Sequence, residues 1–227
     1  MSQQPPQSVQ APTGAGDRLH LEEWLNALTH GVGAVVALAA GAVLITLASI
    51  YGDRWAVIGA SVYSASLLLL YLASTLYHAV AHVPTKAKLK IFDHCMIYVL
   101  IAGTYTPFML VNMRGPWGWS LFVTIWVLAI AGVVMKAFFI HRFRRLSTLV
   151  YVLMGWLCVV AVSEMIATIP FNGLMWLAVG GLCYTIGVIF YLWHRLPYHH
   201  AIWHLFVLGG SICHFFAVLF SVLPAAS

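Results

Sequence analysis

Seven apolar runs dominate this sequence of 227 residues and restrict the folds that are open to it. The runs occupy residues 27–50, 55–80, 91–112, 117–140, 146–168, 172–193 and 199–222. A helix needs about 20 predominantly apolar residues to cross the hydrocarbon core of a bilayer. With 62% hydrophobic and 7% charged residues, the chain is also more apolar than a soluble domain of this length. The sequence therefore predicts an all-α membrane protein, a bundle of seven transmembrane helices.

The rest of the chain consists of short connections and one polar tail. The first 20 residues are rich in Gln, Pro, Ser and Gly, which predicts a disordered tail over 1–20. Turn residues separate the apolar runs, so we expect residues 21–227 to form a single transmembrane domain. The four cysteines lie inside apolar runs without CxxC spacing. This placement indicates packing residues and not disulfides or thiolate ligands.

Positive charge is distributed unevenly between the two ends of the predicted helices. The formal net charge is +5. Arg18 precedes the first run, and alternate connections after it carry most of the other cations, namely Lys86, Lys88, Lys90, Arg142, Arg144, Arg145 and Arg195. The opposite connections carry only Arg54 and Arg114. Since cytoplasmic loops are rich in Lys and Arg, the pattern predicts a cytoplasmic N-terminus and an external C-terminus, and it indicates orientation and not nucleic-acid binding.

Several polar residues fall at the same predicted depth, close to the cytoplasmic leaflet. His200 and His204 are four residues apart at the start of the last run, so a helix places them on one face. His78 ends the second run, and Asp93 begins the third. Ser74 lies one turn before His78 and faces the same way. Because ionisable residues in membrane helices are costly to bury and usually functional, these five side chains form the candidate site.

The residue types at this depth match a catalytic zinc site. We predict that His78, His200 and His204 bind zinc. Three protein nitrogens leave a fourth position open, and water bound there has its pKa lowered to about 7. Asp93 is expected to hold this water or to orient a ligand ring, and Ser74 to hydrogen-bond the water or a substrate carbonyl. At the lipid boundary, such a site is suited to hydrolysis of a lipid amide or ester.

The other histidines of this region have simpler interpretations. A single histidine near the membrane interface is more often a hydrogen-bonded interfacial residue than a metal ligand. We expect His82 to be exposed to headgroups. His199 points about 100° away from His200 around the helix, and His214 lies about 15 Å deeper than His204. None of the three is therefore predicted to bind the metal.

A further polar stripe opens the first apolar run. Glu23, Asn26 and His30 follow one another at spacings of three and four residues, which places them on one face of a helix. The predicted topology brings this stripe to the leaflet that holds His78. For Glu23 and Asn26 we favour helix capping and hydrogen bonds within the bundle over a catalytic role.

Local motifs throughout the apolar runs are similar to those of a known family. The segments that carry the resemblance are 22–31, 73–78, 92–95, 103–108, 154–156 and 196–215. Together they resemble the bacterial hemolysin III family, which is related to the progestin and adipoQ receptors. The resemblance implies a seven-helix zinc protein in which His78, His200 and His204 bind the metal on the cytoplasmic side. It also implies that Asp93 and Ser74 hold the zinc-bound water.

Residues and resemblance together predict the function. We expect an integral zinc protein of the inner membrane that hydrolyses a lipid amide or ester, as a ceramidase does, and that acts in membrane lipid homeostasis. The expected partner is membrane lipid. One alternative is a non-enzymatic sensor or receptor-like regulator in which zinc is structural. Another is a channel or pore that causes cytolysis when overproduced, although the outer halves of the predicted helices are almost wholly apolar.

Overall fold

The computed structural model describes residues 14–139 and 144–223, and these residues are almost entirely helical. In chain order the helices are α1 (Gly14–Tyr51), α2 (Arg54–Ala79), α3 (Val83–Leu110), α4 (Pro116–Phe139), α5 (Arg144–Gly155), α6 (Val162–Thr168), α7 (Phe171–Leu192) and α8 (His199–Ser221). Of the predicted tail, residues 1–13 lie outside the described residues, whereas 14–20 belong to α1. The predicted all-α class is confirmed for the described ranges.

Six segments of the described chain are long and apolar enough to cross a bilayer. They are Arg18–Tyr51, Arg54–Ala79, Pro116–Phe139, Leu146–Thr168, Phe171–Leu192 and His199–Ser221. Large apolar side chains on their outer faces are strongly exposed, including Val35 (70%), Phe138 (76%) and Phe171 (74%). Lipid tails solvate such side chains as well as a protein interior does. The chain is therefore a multi-pass membrane protein.

The remaining predicted span, 91–112, lies in α3 except for its last two residues, and α3 is not among these six segments. Length does not explain the difference, since the 28 residues of α3 form about 42 Å of helix. Composition does, because α3 carries three lysines in its first turns, the carboxylate of Asp93 and a proline near its end. From Asp93 onward most of its side chains are buried, and it packs against both α2 and α4. A seventh crossing by α3 stays a prediction.

The packing of α1, α2, α3 and α8 creates the end of the bundle that holds the candidate site. α1 and α3 each contact both α2 and α8. The C-terminal end of α2, with His78, therefore meets the N-terminal end of α8, with His200. At the other end of α2, Asp53 caps the helix, and its Oδ2 accepts a hydrogen bond from Arg114 Nη1 at 3.2 Å. The sparse cations predicted to lie outside are thus at the end away from the histidines.

The fifth predicted span is not one continuous helix. The run 146–168 contains the end of α5, a 3₁₀ helix (Leu157–Ala161) and α6. Backbone groups released by such a break must find partners inside the bundle, because lipid offers none. The Tyr105 hydroxyl supplies them. It accepts a hydrogen bond from the Cys158 backbone N–H at 2.9 Å and lies 2.9 and 3.0 Å from the carbonyl oxygens of Met154 and Gly155.

Close contact between α2 and α3 gives the first testable prediction. A Cβ atom added at Gly59 would lie 2.7 Å from the Cα atom of Pro107, whereas one added at Gly155 meets nothing within 4 Å. Because backbone cannot move aside cheaply, Gly59→Ala should destabilise the protein by about 1–3 kcal/mol. Thermal unfolding in detergent should then show a lower Tm for Gly59→Ala and an unchanged Tm for the control Gly155→Ala. Equal transitions for the two variants would contradict the packing described.

Candidate metal centre

Three histidines from two helices converge at one end of the bundle. His78 lies in the last turn of α2, and His200 and His204 lie in the first turns of α8. One ring nitrogen from each lies within 4.8 Å of those of the other two. The ring centroids are 5.1 Å apart for His78 and His200, 5.3 Å for His78 and His204, and 4.7 Å for His200 and His204. We call these three residues the histidine cluster.

The Nε2 atoms of the histidine cluster lack hydrogen-bond partners. All three are buried, and none contacts a donor or acceptor among the described residues. An unsatisfied buried polar atom costs about 1–3 kcal/mol, so three of them meeting at one place require an explanation. A shared cation provides one, because neutral imidazole nitrogens are ligands that zinc prefers and three of them leave a fourth position open. The residues present therefore fit a zinc ion.

Hydrogen bonds on the opposite ring nitrogens favour metal binding through Nε2. His78 Nδ1 donates to Glu23 Oε2 at 3.0 Å. His204 Nδ1 lies 3.1 Å from Thr29 Oγ1, and the Thr29 hydroxyl lies 2.9 Å from the Leu25 carbonyl oxygen. Since that hydroxyl donates its hydrogen to the carbonyl, it accepts one from His204. These bonds assign both rings the tautomer whose Nε2 lone pair is free, an arrangement common behind metal-binding histidines.

The partner of Glu23 is the main finding that sequence reasoning missed. The sequence favoured helix capping and hydrogen bonds within the bundle. The capping part is wrong, because α1 begins at Gly14 and Glu23 is not at a helix end, whereas the bundle hydrogen bonds are present. Its carboxylate bonds His78 and also accepts a hydrogen bond from Lys86 Nζ at 2.7 Å. Lys86 in turn donates to the Tyr77 carbonyl oxygen at 3.0 Å. The spacing of the Glu23 stripe was visible in the sequence, whereas its partner depends on how α1 and α2 pack.

Ser74 and Asp93 lie on α2 and α3, two helices that pack against each other. The Oδ2 atom of Asp93 lies 3.5 Å from His94 Nδ1. Both side chains are buried, at 1% exposure for Ser74 and 6% for Asp93. Asp93 also contributes to the wall of a cavity inside the bundle. Their predicted contact with a metal-bound water stays a prediction.

Histidines predicted to have other roles lie elsewhere. His82 is exposed next to the first residue of α3, and its Nδ1 is 2.9 Å from Thr85 Oγ1. His199 Nδ1 donates to the Phe190 carbonyl oxygen at 3.2 Å, at the end of α7. His214 Nε2 lies 3.4 Å from the Leu177 carbonyl oxygen, deeper in the bundle. The expectation that these three stay out of the cluster agrees with the described residues.

Two adjoining cavities lie inside the bundle. The first, which we call the central cavity, has a volume of about 150 Å³ and runs to His214 from Asp93 and His30, whose ring stacks on a cluster histidine. The second has a volume of about 270 Å³ and is walled mainly by α3, α7 and the broken fifth span. Both include Tyr105 and Trp156 in their walls, which are overwhelmingly apolar. A lipid whose polar group is bound at the cluster can thus extend its hydrocarbon chain into a long apolar space.

Fold and cluster together define a class of protein, a multi-pass helical membrane protein with a buried three-histidine site capable of holding a metal. Residues 19–215 match the family described as haemolysin-III related. The chain belongs to this haemolysin-III family, as the motifs in its sequence indicated.

Comparison with individual proteins agrees with this family assignment. The chain is 51% identical to Hemolysin-3 of Bacillus cereus over 206 residues, which cover 91% of this chain and 94% of the relative. It is 50% identical to the Hemolysin-3 homolog of Bacillus subtilis (strain 168) over 199 residues, or 88% of this chain and 93% of the relative. The human monocyte to macrophage differentiation factor is 31% identical over 205 residues, which cover 87% of this chain and 83% of the relative.

Removal of a cluster histidine gives the second prediction. His78→Ala and His204→Ala should each lose zinc, because two remaining imidazoles bind it far more weakly than three. Elemental analysis of purified protein should find about one zinc per chain in the wild type and much less in both variants. His199→Ala is the matched control, since His199 is adjacent to the cluster but bonds a carbonyl of α7. Retention of full zinc by His204→Ala would refute the site.

Glu23 gives the third prediction. Loss of the acceptor behind a metal-binding histidine typically weakens metal affinity by about 10- to 100-fold. Glu23→Ala should show a loss of this size in a zinc titration against a competing chelator. Glu22→Ala is the control, because Glu22 forms no ion pair within the described part of the chain. Similar affinities for the two variants would show that Glu23 does not support His78.

Proposed function

We propose that this protein is a zinc-dependent hydrolase of a lipid amide or ester, ceramidase-like in its reaction, and that it acts in membrane lipid homeostasis in the inner membrane. One observation carries the proposal: three imidazole Nε2 atoms without hydrogen-bond partners converge beside an apolar cavity whose wall includes a buried carboxylate. The arrangement supplies what lipid hydrolysis needs, a Lewis-acid site next to a space for an acyl chain.

Each polar residue around the cluster has a definite task in this reaction. Zinc held by three histidines supplies activation of water at neutral pH. Glu23 and Thr29 fix the rings of His78 and His204 so that the Nε2 lone pairs face one another. Asp93 accepts the proton of the attacking water at a carboxylate oxygen, and Ser74, which is buried on the neighbouring helix α2, hydrogen-bonds the water or the substrate carbonyl. The proton then passes to the leaving amine or alcohol.

The cavities support a lipid as the substrate. Their walls consist mainly of Leu, Ile, Val and aromatic side chains, and the central cavity has Asp93 and His30 in its wall. Burial of each methylene group of an acyl chain in such a space contributes about 0.8 kcal/mol. An amphipathic molecule would therefore bind with its chain inside the bundle and its hydrolysable group at the cluster.

The orientation of the site in the membrane is part of the proposal. We infer a cytoplasmic N-terminus and an external C-terminus, which puts the histidine cluster in the cytoplasmic leaflet. Lys86, Lys88 and Lys90 lie next to the end of α2 that carries His78, whereas Arg54 and Arg114 lie at the opposite end. This distribution follows the positive-inside rule and supports the inferred orientation. Substrate would then come from the inner leaflet.

Membrane permeabilisation is a second candidate function, and the name Hemolysin-3 of the Bacillus cereus relative motivates it. A pore needs a continuous polar path across the bilayer. The cavity that adjoins the outer half of the bundle has an apolar wall, which favours a bound hydrocarbon over water and ions.

The fourth prediction tests these functions together. In liposomes that contain ceramide, N-acyl amides and acyl esters, the wild type should release fatty acid, detected by mass spectrometry. His204→Ala and Asp93→Asn should each lower this rate by at least about 100-fold, because each substitution removes a group that acts on the water. The control His199→Ala should retain it.

Leakage of an encapsulated dye from the same liposomes separates the pore from the enzyme. Hydrolysis without leakage supports the hydrolase. Leakage that persists in His204→Ala, without any fatty-acid release by the wild type, would support the pore and refute the hydrolase. A zinc ion with four protein ligands and no hydrolysis would instead favour a regulator with a structural metal.

A further inference from the structure

His30 on α1 is a buried histidine for which neither fold nor zinc binding provides a role. Its side chain is 2% exposed, and neither ring nitrogen has a hydrogen-bond partner among the described residues. Buried polar atoms are nearly always paired, so two unpaired nitrogens on one ring point to a partner other than the described residues. His30 lines the central cavity together with Asp93, which locates that partner.

Aromatic contacts fix the position of the His30 ring. It stacks on His204 with a centroid distance of 3.4 Å and an interplanar angle of 9°. Tyr71 contacts it edge to face at 5.0 Å. The ring is therefore held one layer away from a residue of the histidine cluster, at the border between the cluster and the cavity.

His30 is not a further ligand of the cluster. The group of nitrogens that lie within 4.8 Å of one another comprises those of His78, His200 and His204 alone among the described residues. Because its ring is stacked face to face on His204, the lone pairs of His30 lie in a separate plane parallel to that of His204, and a single ion cannot lie in both ring planes. The unpaired nitrogens of His30 are thus available to a molecule in the cavity.

We propose that His30 is a substrate-binding residue that hydrogen-bonds the polar linkage group of a lipid whose hydrocarbon chain occupies the central cavity. This inference rests on the proposed function, since it takes the lipid linkage to lie at the histidine cluster. A neutral imidazole offers one N–H donor and one acceptor nitrogen. The carbonyl oxygen of an amide or ester accepts from the donor, while an apolar chain end would leave both nitrogens unpaired. His30 therefore selects lipids that place a carbonyl, and not hydrocarbon, beside the metal.

Two metal-binding probes with the same chain length test this role without hydrolysis. Palmitohydroxamic acid and 1-hexadecanethiol both bring a metal-binding group into the site on a long chain. Only the hydroxamate also presents a carbonyl and an N–H, since sulfur is a weak hydrogen-bond partner. Binding of each probe is measured from the visible absorption of the purified, cobalt(II)-loaded protein.

His30→Phe retains a ring that can stack on His204 and removes both nitrogens. It should weaken hydroxamate binding by about 10-fold and leave thiol binding within about 2-fold of the wild type. His30→Gln, which restores a donor and an acceptor, should recover part of the hydroxamate affinity. Thiol binding and metal content serve as the check that each variant is folded.

The outcomes separate this inference from the function on which it rests. Equal losses for both probes would show that His30 only supports His204, and unchanged affinities would show that the cavity does not place a ligand against it; either result overturns the inference alone. If the wild type binds neither probe, the metal hydrolase and the inference both fail. Selective loss of hydroxamate in a protein that hydrolyses no lipid would overturn the hydrolase and retain His30 as a ligand contact.

Discussion

The convergence of three unpaired imidazole nitrogens at the end of α2 and α8 is the constraint on which the other features of this end of the bundle depend. A membrane interior offers no water to compensate buried polar atoms, so the cluster would be unfavourable without a cation. The same condition explains the hydrogen bonds of Glu23 and Thr29. Each forms a hydrogen bond with the Nδ1 atom of a cluster histidine, so that with a metal on Nε2 neither nitrogen of that ring is unpaired in the membrane.

Support for the cluster comes from helices that do not carry its histidines. α1 provides Glu23, Thr29 and the stacked ring of His30, while Lys86 from the start of α3 holds Glu23. Because α1 and α3 each contact both α2 and α8, they fix the distance across which the metal would bind. The polar groups of these four helices thus form a single unit, and displacement of α1 would disturb the cluster without removing a ligand.

The sequence was sufficient for the residues whose position depends on local periodicity. The i, i+4 spacing of His200 and His204 fixes their common face wherever α8 lies, and the short connection between the second and third runs places His78 and Asp93 at the same end of the bundle. Contacts that depend on how each helix is rotated about its own axis could not be predicted from the sequence. The bond between Glu23 and His78 requires a particular face of α1 to meet α2, and no pattern within either segment specifies that rotation.

The broken fifth span shows the same limit in the fold. Residues 146–168 are predominantly apolar, with Glu164 as the one charged residue, and this composition does not distinguish a continuous helix from an interrupted one. The interruption depends on the hydroxyl of Tyr105, which lies about 50 residues away on α3 and satisfies the freed backbone groups. That partner also lines both cavities, so the feature that was hardest to predict helps to form the apolar space.

A structural role and a catalytic role for the metal are often treated as alternatives, but this geometry does not oppose them. A cation that joins α2 to α8 would stabilise the bundle whether or not it also activates water, so loss of stability on zinc removal cannot separate an enzyme from a regulator. Coordination can. The nitrogens that meet within 4.8 Å come from three histidines of the described residues, and a site with three protein ligands retains a position for water or substrate. An open site also accounts for a buried carboxylate in the wall of the neighbouring cavity, which is why we favour the open, hydrolytic interpretation.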